Sequence, residues 1–183
     1  MDNGRVKVVD VAARACLVEV EDAVAAAALA TWVRAVGLPA EEVVPAARTV
    51  LLDGVDPVAA REALRRWATD DVTRPAPLVR LPVHYSGPDL ARVADHWGCT
   101  TQEVVDVHTS LEFTSAFCGF APGFAYLAGL PLERAVPRLA SPRTRVAPGS
   151  VGLADTWCGV YPTASPGGWL LIGTTDAELW DVD

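Results

Sequence analysis

From Phe117 to Gly173 the chain is cut into short runs by Pro-Gly pairs, which rules out long helices and calls for short strands joined by fixed turns. The pairs are Pro122-Gly123, Pro148-Gly149 and Pro166-Gly167. Proline presets φ, and the glycine beside it supplies the positive-φ position that a tight turn needs. Arg134, Arg138, Arg143 and Arg145 fall among these turns, and no carboxylate occurs between Arg134 and Ala154. A rigid, turn-rich frame carrying guanidinium groups without local partners predicts a site for an anionic group.

The composition narrows the class. At 183 residues with 51% apolar content the chain can bury a real core. A net charge of −8 argues against a nucleic-acid binder, which needs a broad basic face, but not against an anionic small molecule. Lys7 is the only lysine, so no Gly-Lys-Ser/Thr phosphate loop can be written anywhere in the chain. The N-terminus has charge where an apolar signal core would begin, and the apolar stretch from Ala23 to Val33 is too short to span a bilayer. Cys16, Cys99, Cys118 and Cys158 are scattered, with no spacing for a metal site, and read as buried thiols of a reducing cytoplasm.

Along the chain, the first part alternates strand-like and helix-like segments. Val6–Val11, Cys16–Val20, Val43-Val44 and Thr49–Leu52 read as strands. Glu21-Asp22 leads an alanine-rich helix to about Val36, and Asp56-Pro57 opens a second helix running to about Ala68. A polar stretch and two prolines before Leu78 set a boundary, giving a small α/β domain over 1–76 and a second domain over 77–183. In the second domain Val79–Tyr85 reads as a strand, Ser86-Gly87-Pro88 starts a helix stopped by Gly98, and Thr100 with Glu103 forms a capping box before a helix ending near His108. Strand-length segments follow over Phe113–Phe120, Arg143–Val146, Ser150–Ala154, Gly159–Tyr161 and Trp169–Thr174, which points to a barrel or sandwich.

The chemical candidates fall in this second domain. Arg143 and Arg145 alternate along one strand, so both side chains leave the same face, and Arg138 precedes them in a repeated Pro-Arg dipeptide. His108 ends the capped helix and can serve as acid, base or ligand. Gly119, Phe120, Pro122, Gly123, Tyr161, Gly167, Gly168 and Trp169 are candidates for the wall of a ligand site, where glycine admits close backbone approach. No Gly-x-Ser-x-Gly, His-Glu-x-x-His or Gly-x-Gly-x-x-Gly pattern occurs.

Taken in order, His108-Thr-Ser, Gly119-Phe-Ala-Pro-Gly-Phe-Ala-Tyr-Leu-Ala-Gly-Leu130, Pro137-Arg-Leu-Ala-Ser-Pro-Arg-Thr-Arg-Val146, Gly149-Ser-Val-Gly152, Gly159-Val-Tyr-Pro162 and Ser165-Pro-Gly-Gly-Trp169 closely resemble the B-type 5-oxoprolinase subunit family. That family is also called allophanate hydrolase subunit 1 or KipI-type. The resemblance implies an α+β chain with a small α/β N-terminal domain followed by a cyclophilin-like β-barrel. It also implies a homologous C-type partner, of the allophanate hydrolase subunit 2 kind, and a lactam-binding A-type partner. Together these open 5-oxo-L-proline to L-glutamate at the expense of ATP. Two alternatives stay open within the resemblance: inhibition of a sensor histidine kinase, and a carboxyltransferase role related to allophanate hydrolase and urea amidolyase. Under the first reading Arg143 stabilises developing charge, Arg138 and Arg145 hold the anion, His108 moves a proton or orients the ligand, and ATP occupies a site shared with the partners. No metal ligands are expected. Family members run beyond the Leu179-Trp180-Asp181 region into a further strand, and this chain stops at Asp183, so the barrel is expected either to lack its last strand or to have it covered by a partner.

Overall fold

The computed structural model of the protein describes residues 6–68 and 77–180. The chain divides into two compact units, the first reaching Pro77 and the second starting at Leu78.

In the first unit β1 (Lys7–Ala12), β2 (Ala15–Glu19), β3 (Glu42–Pro45) and β4 (Thr49–Asp53) form an antiparallel sheet of order β1-β2-β4-β3. Period-two alternation puts Cys16 and Val18 of β2 and Val50 and Leu52 of β4 on one buried face. Helix α1 (Ala23–Ala35) lays Ala26, Leu29, Ala30 and Val33 on that face, at the i, i+3, i+4, i+7 spacing of one helical stripe. Asp22 caps it, its side chain accepting from Ala25 N at 2.8 Å. Helix α2 (Pro57–Leu64) starts as expected, with Asp56 accepting from Val58 N, but ends before Ala68. Its last turn tightens as Trp67 N donates to Leu64 O, and this turns the Trp67 indole into the same core.

The second unit opens with α3 (Leu90–Trp97) and α4 (Thr101–Ser110). Gly98 stops α3 in the left-handed conformation, and both halves of the Thr100–Glu103 capping box are made. Then come β5 (Thr114–Cys118), β6 (Ala125–Ala128), a 3₁₀ turn at Leu132–Arg134, β7 (Arg143–Val146), β8 (Ser150–Ala154), β9 (Trp157–Val160), β10 (Ser165–Gly167) and β11 (Leu170–Thr174). Strands β6 and β10 escaped the sequence reading because they are short and rich in Ala, Pro and Gly.

The strands form a five-stranded sheet of order β11-β8-β9-β6-β5 and a separate two-stranded ribbon, β10-β7. Closure of a barrel requires the end strands to pair, and among the described residues β5 and β11 do not. The outer edge of β11 is already taken: Gly87 N donates to Ile172 O, Asp89 N to Leu171 O, and His84 exchanges backbone bonds with Thr174. The strand expected over Val79–Tyr85 is reduced to that single bridge at His84. Pro82 has no N–H to extend the ladder.

Alternation gives this sheet two different faces. Val151 and Leu153 of β8, Cys158 and Val160 of β9, and Leu170 and Ile172 of β11 pack with Val93, Ala94 and Val104 of the helices. The intervening positions point the other way, where Phe124, Tyr126, Trp157, Tyr161, Trp169 and Leu171 gather. No helix among the described residues is long and apolar enough to cross a membrane.

Gly87 tests how the edge of β11 is covered. A Cβ there would meet the Leu171, Ile172 and Gly173 backbone, standing 2.6 Å from the Gly173 nitrogen, whereas a Cβ at Gly119 would have only Tyr126 nearby, at 3.8 Å. Gly87→Ala is expected to cost about 2–3 kcal/mol in urea unfolding and Gly119→Ala less than about 0.5 kcal/mol. Equal losses would show that residues 84–89 do not clasp the strand.

Candidate functional site

The aromatic face is built from three pieces of chain. The loop after β5 turns sharply at Phe120, whose φ is 70°, and Ala121 N donates to Gly119 O at 2.9 Å. That i→i+2 bond around a positive-φ centre is a γ-turn of the rare, strained hand. Gly123, at φ 78°, reverses the chain, and Phe124 enters the core. The rings interlock edge to face: Phe120–Phe124 centroids are 5.3 Å apart, Phe120–Tyr161 6.2 Å, Phe124–Trp169 5.4 Å and Tyr126–Trp169 5.6 Å. Phe120 stays 59% exposed, and Pro122 beside it is exposed as well.

The β10-β7 ribbon and the segment before it carry the arginines, of which Arg138 reaches this face. Leu139 N donates to Gly168 O, which brings Pro137-Arg138 alongside Trp169, and the Arg138 guanidinium lies 6.0 Å from the indole centroid. Gly167 is sterically required: a Cβ there would run into the Tyr161 hydroxyl, whereas Gly168 has only Pro142 as a distant neighbour. Burial pushes the Tyr161 hydroxyl above its ordinary range, opposed by a Trp169 backbone bond and by the charges of Arg138 and Arg143. Ser165 Oγ, in the same ribbon, is buried without a hydrogen-bond partner.

The arginines are not equivalent. Arg143 Nη2 donates to Asp89 Oδ1 at 2.9 Å, and Leu171 N donates to Asp89 Oδ2 at 2.7 Å. Asp89 stands at the N-cap position of α3 yet makes no cap bond, because its oxygens are spent on these two donors. Arg143, expected as a free anion-binding group, is thus held by a carboxylate from far outside its own stretch of sequence. Arg138 and Arg145 are exposed and form no ion pair among the described residues. They remain available to an external anion.

His108 does not join them. It is 8% exposed on the helix-covered face, its Nδ1 sharing a hydrogen bond of 2.7 Å with the Tyr85 hydroxyl and its Nε2 lying 3.4 Å from Cys158 Sγ. The next residue of β9, Gly159, faces Phe124 and Trp169, so the sheet separates the imidazole from the arginines. Burial lowers the His108 pKa from 6.5 to about 4, and a neutral imidazole has one donor and one acceptor nitrogen, which Tyr85 and Cys158 satisfy. It is a structural group, out of reach of a ligand on the aromatic face. No cluster of His, Cys, Asp and Glu suited to a metal ion occurs among the described residues.

The residues of this candidate site that sequence reasoning missed are Asp89, Tyr126 and Trp157. An acidic residue after Gly-Pro reads as a helix cap, and nothing local announces a partner 54 residues away. The aromatics could have been found from their alternation with Ala125, Leu127 and Cys158, which face the other way.

Two measurements follow from these contacts. Arg143→Ala leaves the buried Asp89 carboxylate with the Leu171 N–H as its remaining donor and is expected to cost about 2–3 kcal/mol, less than for a fully buried pair since Arg143 is 28% exposed. Arg138→Ala and Arg145→Ala are each expected to stay within about 0.5 kcal/mol of wild type, and a comparable loss from all three would place the ion pair at the surface. For His108 the unfolded chain takes up the proton first on acidification. Stability present in full above pH 6.5 is therefore lost as pH falls toward 4. Tyr85 and Cys158 face the imidazole but have pKa values raised by burial, that of Cys158 to about 12, so neither titrates in this window. Wild type is expected to lose about 2–3 kcal/mol between pH 7 and about pH 4.5 that His108→Gln does not lose; parallel curves would mean that His108 is solvated.

Comparison with known proteins agrees with this architecture. The B subunit of 5-oxoprolinase from Escherichia coli O157:H7 is 44% identical over 140 residues, covering 73% of this chain and 64% of that protein. The solved structure of TTHA0988 superposes with a TM-score of 0.76 at 30% identity, over 92% of this chain and 36% of the other. The K. lactis urea amidolyase matches with a TM-score of 0.70 at 18% identity, over 93% of this chain and 13% of that one, which shows a shared fold alone. The chain thus spans less than two thirds of the length of each of these proteins. The family model for the carboxyltransferase domain, subdomain C and D, matches residues 6–183, and the chain belongs to that family.

Proposed function

We propose that this chain works within an ATP-dependent 5-oxoprolinase, which opens the lactam of 5-oxo-L-proline to give L-glutamate, together with a homologous C-type partner and a lactam-binding A-type partner. The observation that carries this reading is the 44% identity over 140 residues to a protein named as the B subunit of 5-oxoprolinase. In the same reading the five-stranded sheet and its ribbon are part of a cyclophilin-like barrel that the C-type partner completes. The four cysteines are free, which suits the reducing cytoplasm where ATP is abundant.

A lactam resists water because its nitrogen delocalises into the carbonyl. When bound in the complex, ATP supplies the phosphoryl group that activates the lactam oxygen. The residues of this chain fit an anion in that role: Arg138 and Arg145 present exposed guanidinium groups without ion-pair partners among the described residues, and their forked donors match phosphate or carboxylate oxygens. Trp169 supports Arg138 from below, and Arg143, tied to Asp89, holds the ribbon that presents them. Charge preorganised in this way needs no reorganisation as the reaction proceeds, which is where electrostatic catalysis is most effective. With no Gly-Lys-Ser/Thr loop, the remainder of the nucleotide site comes from the partners.

The family to which the chain belongs also favours a second reading, transfer of a carboxyl group, in which the same arginines take a carboxylate. Co-expression with the A-type and C-type partners separates the two. The assembly is expected to release glutamate from 5-oxoproline only when ATP is present, and the lone chain to turn over nothing. Within the assembly Arg138→Ala and Arg145→Ala are each expected to lower kcat/KM by about 10- to 100-fold through loss of a charge-assisted contact. Arg80→Ala, exposed and outside the cluster, is expected to match wild type. Absence of ATP-dependent glutamate release from the complete assembly would sink the oxoprolinase reading.

A further inference from the structure

We propose that Phe120 is the ring-stacking residue of a nucleoside-phosphate site, with the flat base against its exposed ring and the phosphates on Arg138. The inference deepens the reading above and rests on its assignment of an anion to Arg138.

The first observation is strain without a packing reward. Phe120 occupies the centre of a γ-turn at φ 70°, a conformation that disfavours a bulky side chain by about 1 kcal/mol or more. Glycine would relieve that strain. The ring does not repay it by burial, since it is 59% exposed while Phe124 and Tyr161 fill the core beneath it. Edge-to-face contacts with those two rings instead hold Phe120 upright on the surface. A large apolar ring held out in a strained turn is arranged for display.

The second observation is continuity with the cation. Tyr161 packs against Phe120 at one end, and its hydroxyl lies against Gly167 of the arginine-bearing ribbon at the other. Phe124 touches both Phe120 and Trp169, and Arg138 lies over Trp169. One aromatic surface therefore runs from a displayed ring to the Arg138 guanidinium, which has no ion-pair partner among the described residues. A ligand that uses both ends needs a flat face and, set apart from it, a concentrated negative charge. A nucleoside phosphate has both. Inorganic phosphate lacks the ring, and a saturated lactam acid lacks the flat face.

The test is calorimetric titration of the full chain, assembled with its C-type partner, with ATP and with inorganic tripolyphosphate. Wild type is expected to bind ATP about 10-fold more tightly than tripolyphosphate, the difference being the stacked base. Phe120→Ala is expected to abolish that difference and leave tripolyphosphate binding unchanged, Phe120→Trp to retain it, and Arg138→Ala to weaken both ligands. Equal ATP affinity in wild type and Phe120→Ala, or no ATP binding by the assembly, would overturn the proposal. So would a Phe120→Ala chain that fails to assemble with the C-type partner while remaining folded by circular dichroism, since Phe120 would then be a protein-docking residue. The two readings fail separately. Lactam opening with an unchanged ATP KM in Phe120→Ala removes the stacking role alone, whereas Phe120-dependent ATP binding by an assembly that opens no lactam removes the oxoprolinase role alone.

Discussion

Asp89 is buried with both carboxylate oxygens committed, one to the Arg143 guanidinium and the other to the Leu171 backbone N–H. Those contacts tie the β10-β7 ribbon, which no ladder joins to the five-stranded sheet among the described residues, to the start of α3 and to the end strand β11. A buried carboxylate is costly without such partners, and with them it specifies one arrangement of the surrounding chain. Gly87, two residues earlier, lets the same segment lie directly on the β11 backbone. The position of the ribbon, and with it of Arg138, Arg145 and Gly167, depends on this clasp.

With the ribbon held, the two faces of the five-stranded sheet take different duties. One is covered by α3 and α4 and packed with aliphatic side chains, and there His108 is a neutral hydrogen-bonding bridge between Tyr85 and Cys158. The other gathers aromatic rings and has arginine at its margin. An imidazole in the first environment cannot serve chemistry in the second, because a sheet passes neither protons nor side chains. The candidate site therefore relies on fixed positive charge and aromatic surface rather than on proton transfer by this chain.

The Phe120 turn illustrates how strain is retained where packing over-determines it. Gly119 and Gly123 flank the turn, and Gly123 is pressed against the Trp180 and Pro162 side chains, 2.7 Å from a Trp180 carbon if a Cβ were added. The Pro-Gly punctuation that dominates this half of the sequence is explained by such close approaches as much as by turns: a Cβ at Gly149 would run into the Thr175 carbonyl, and one at Gly167 into the Tyr161 ring.

The sequence by itself determined the local elements and the family. Capping at Asp22, Asp56 and Thr100, the stop at Gly98, and the bounds of β7 and β8 are encoded within a few residues of where they act, so they were legible. The order of the motifs from His108 to Trp169 was enough to identify relatives. Which arginine is free was not legible, because the Asp89–Arg143 pair spans 54 residues and a local window sees only that Arg143 has no acidic neighbour. Nor could the sequence separate His108 from the arginines: adjacent residues of one strand, Cys158 and Gly159, point to opposite faces, and that division exists only once the strands are paired. Barrel closure was likewise decided in three dimensions, where backbone bonds from residues 84–89 occupy the edge of β11 that closure would need. Short-range hydrogen bonding and steric preference can be read along the chain, whereas a site made by strand pairing and a long-range ion pair has its geometry only in the folded molecule.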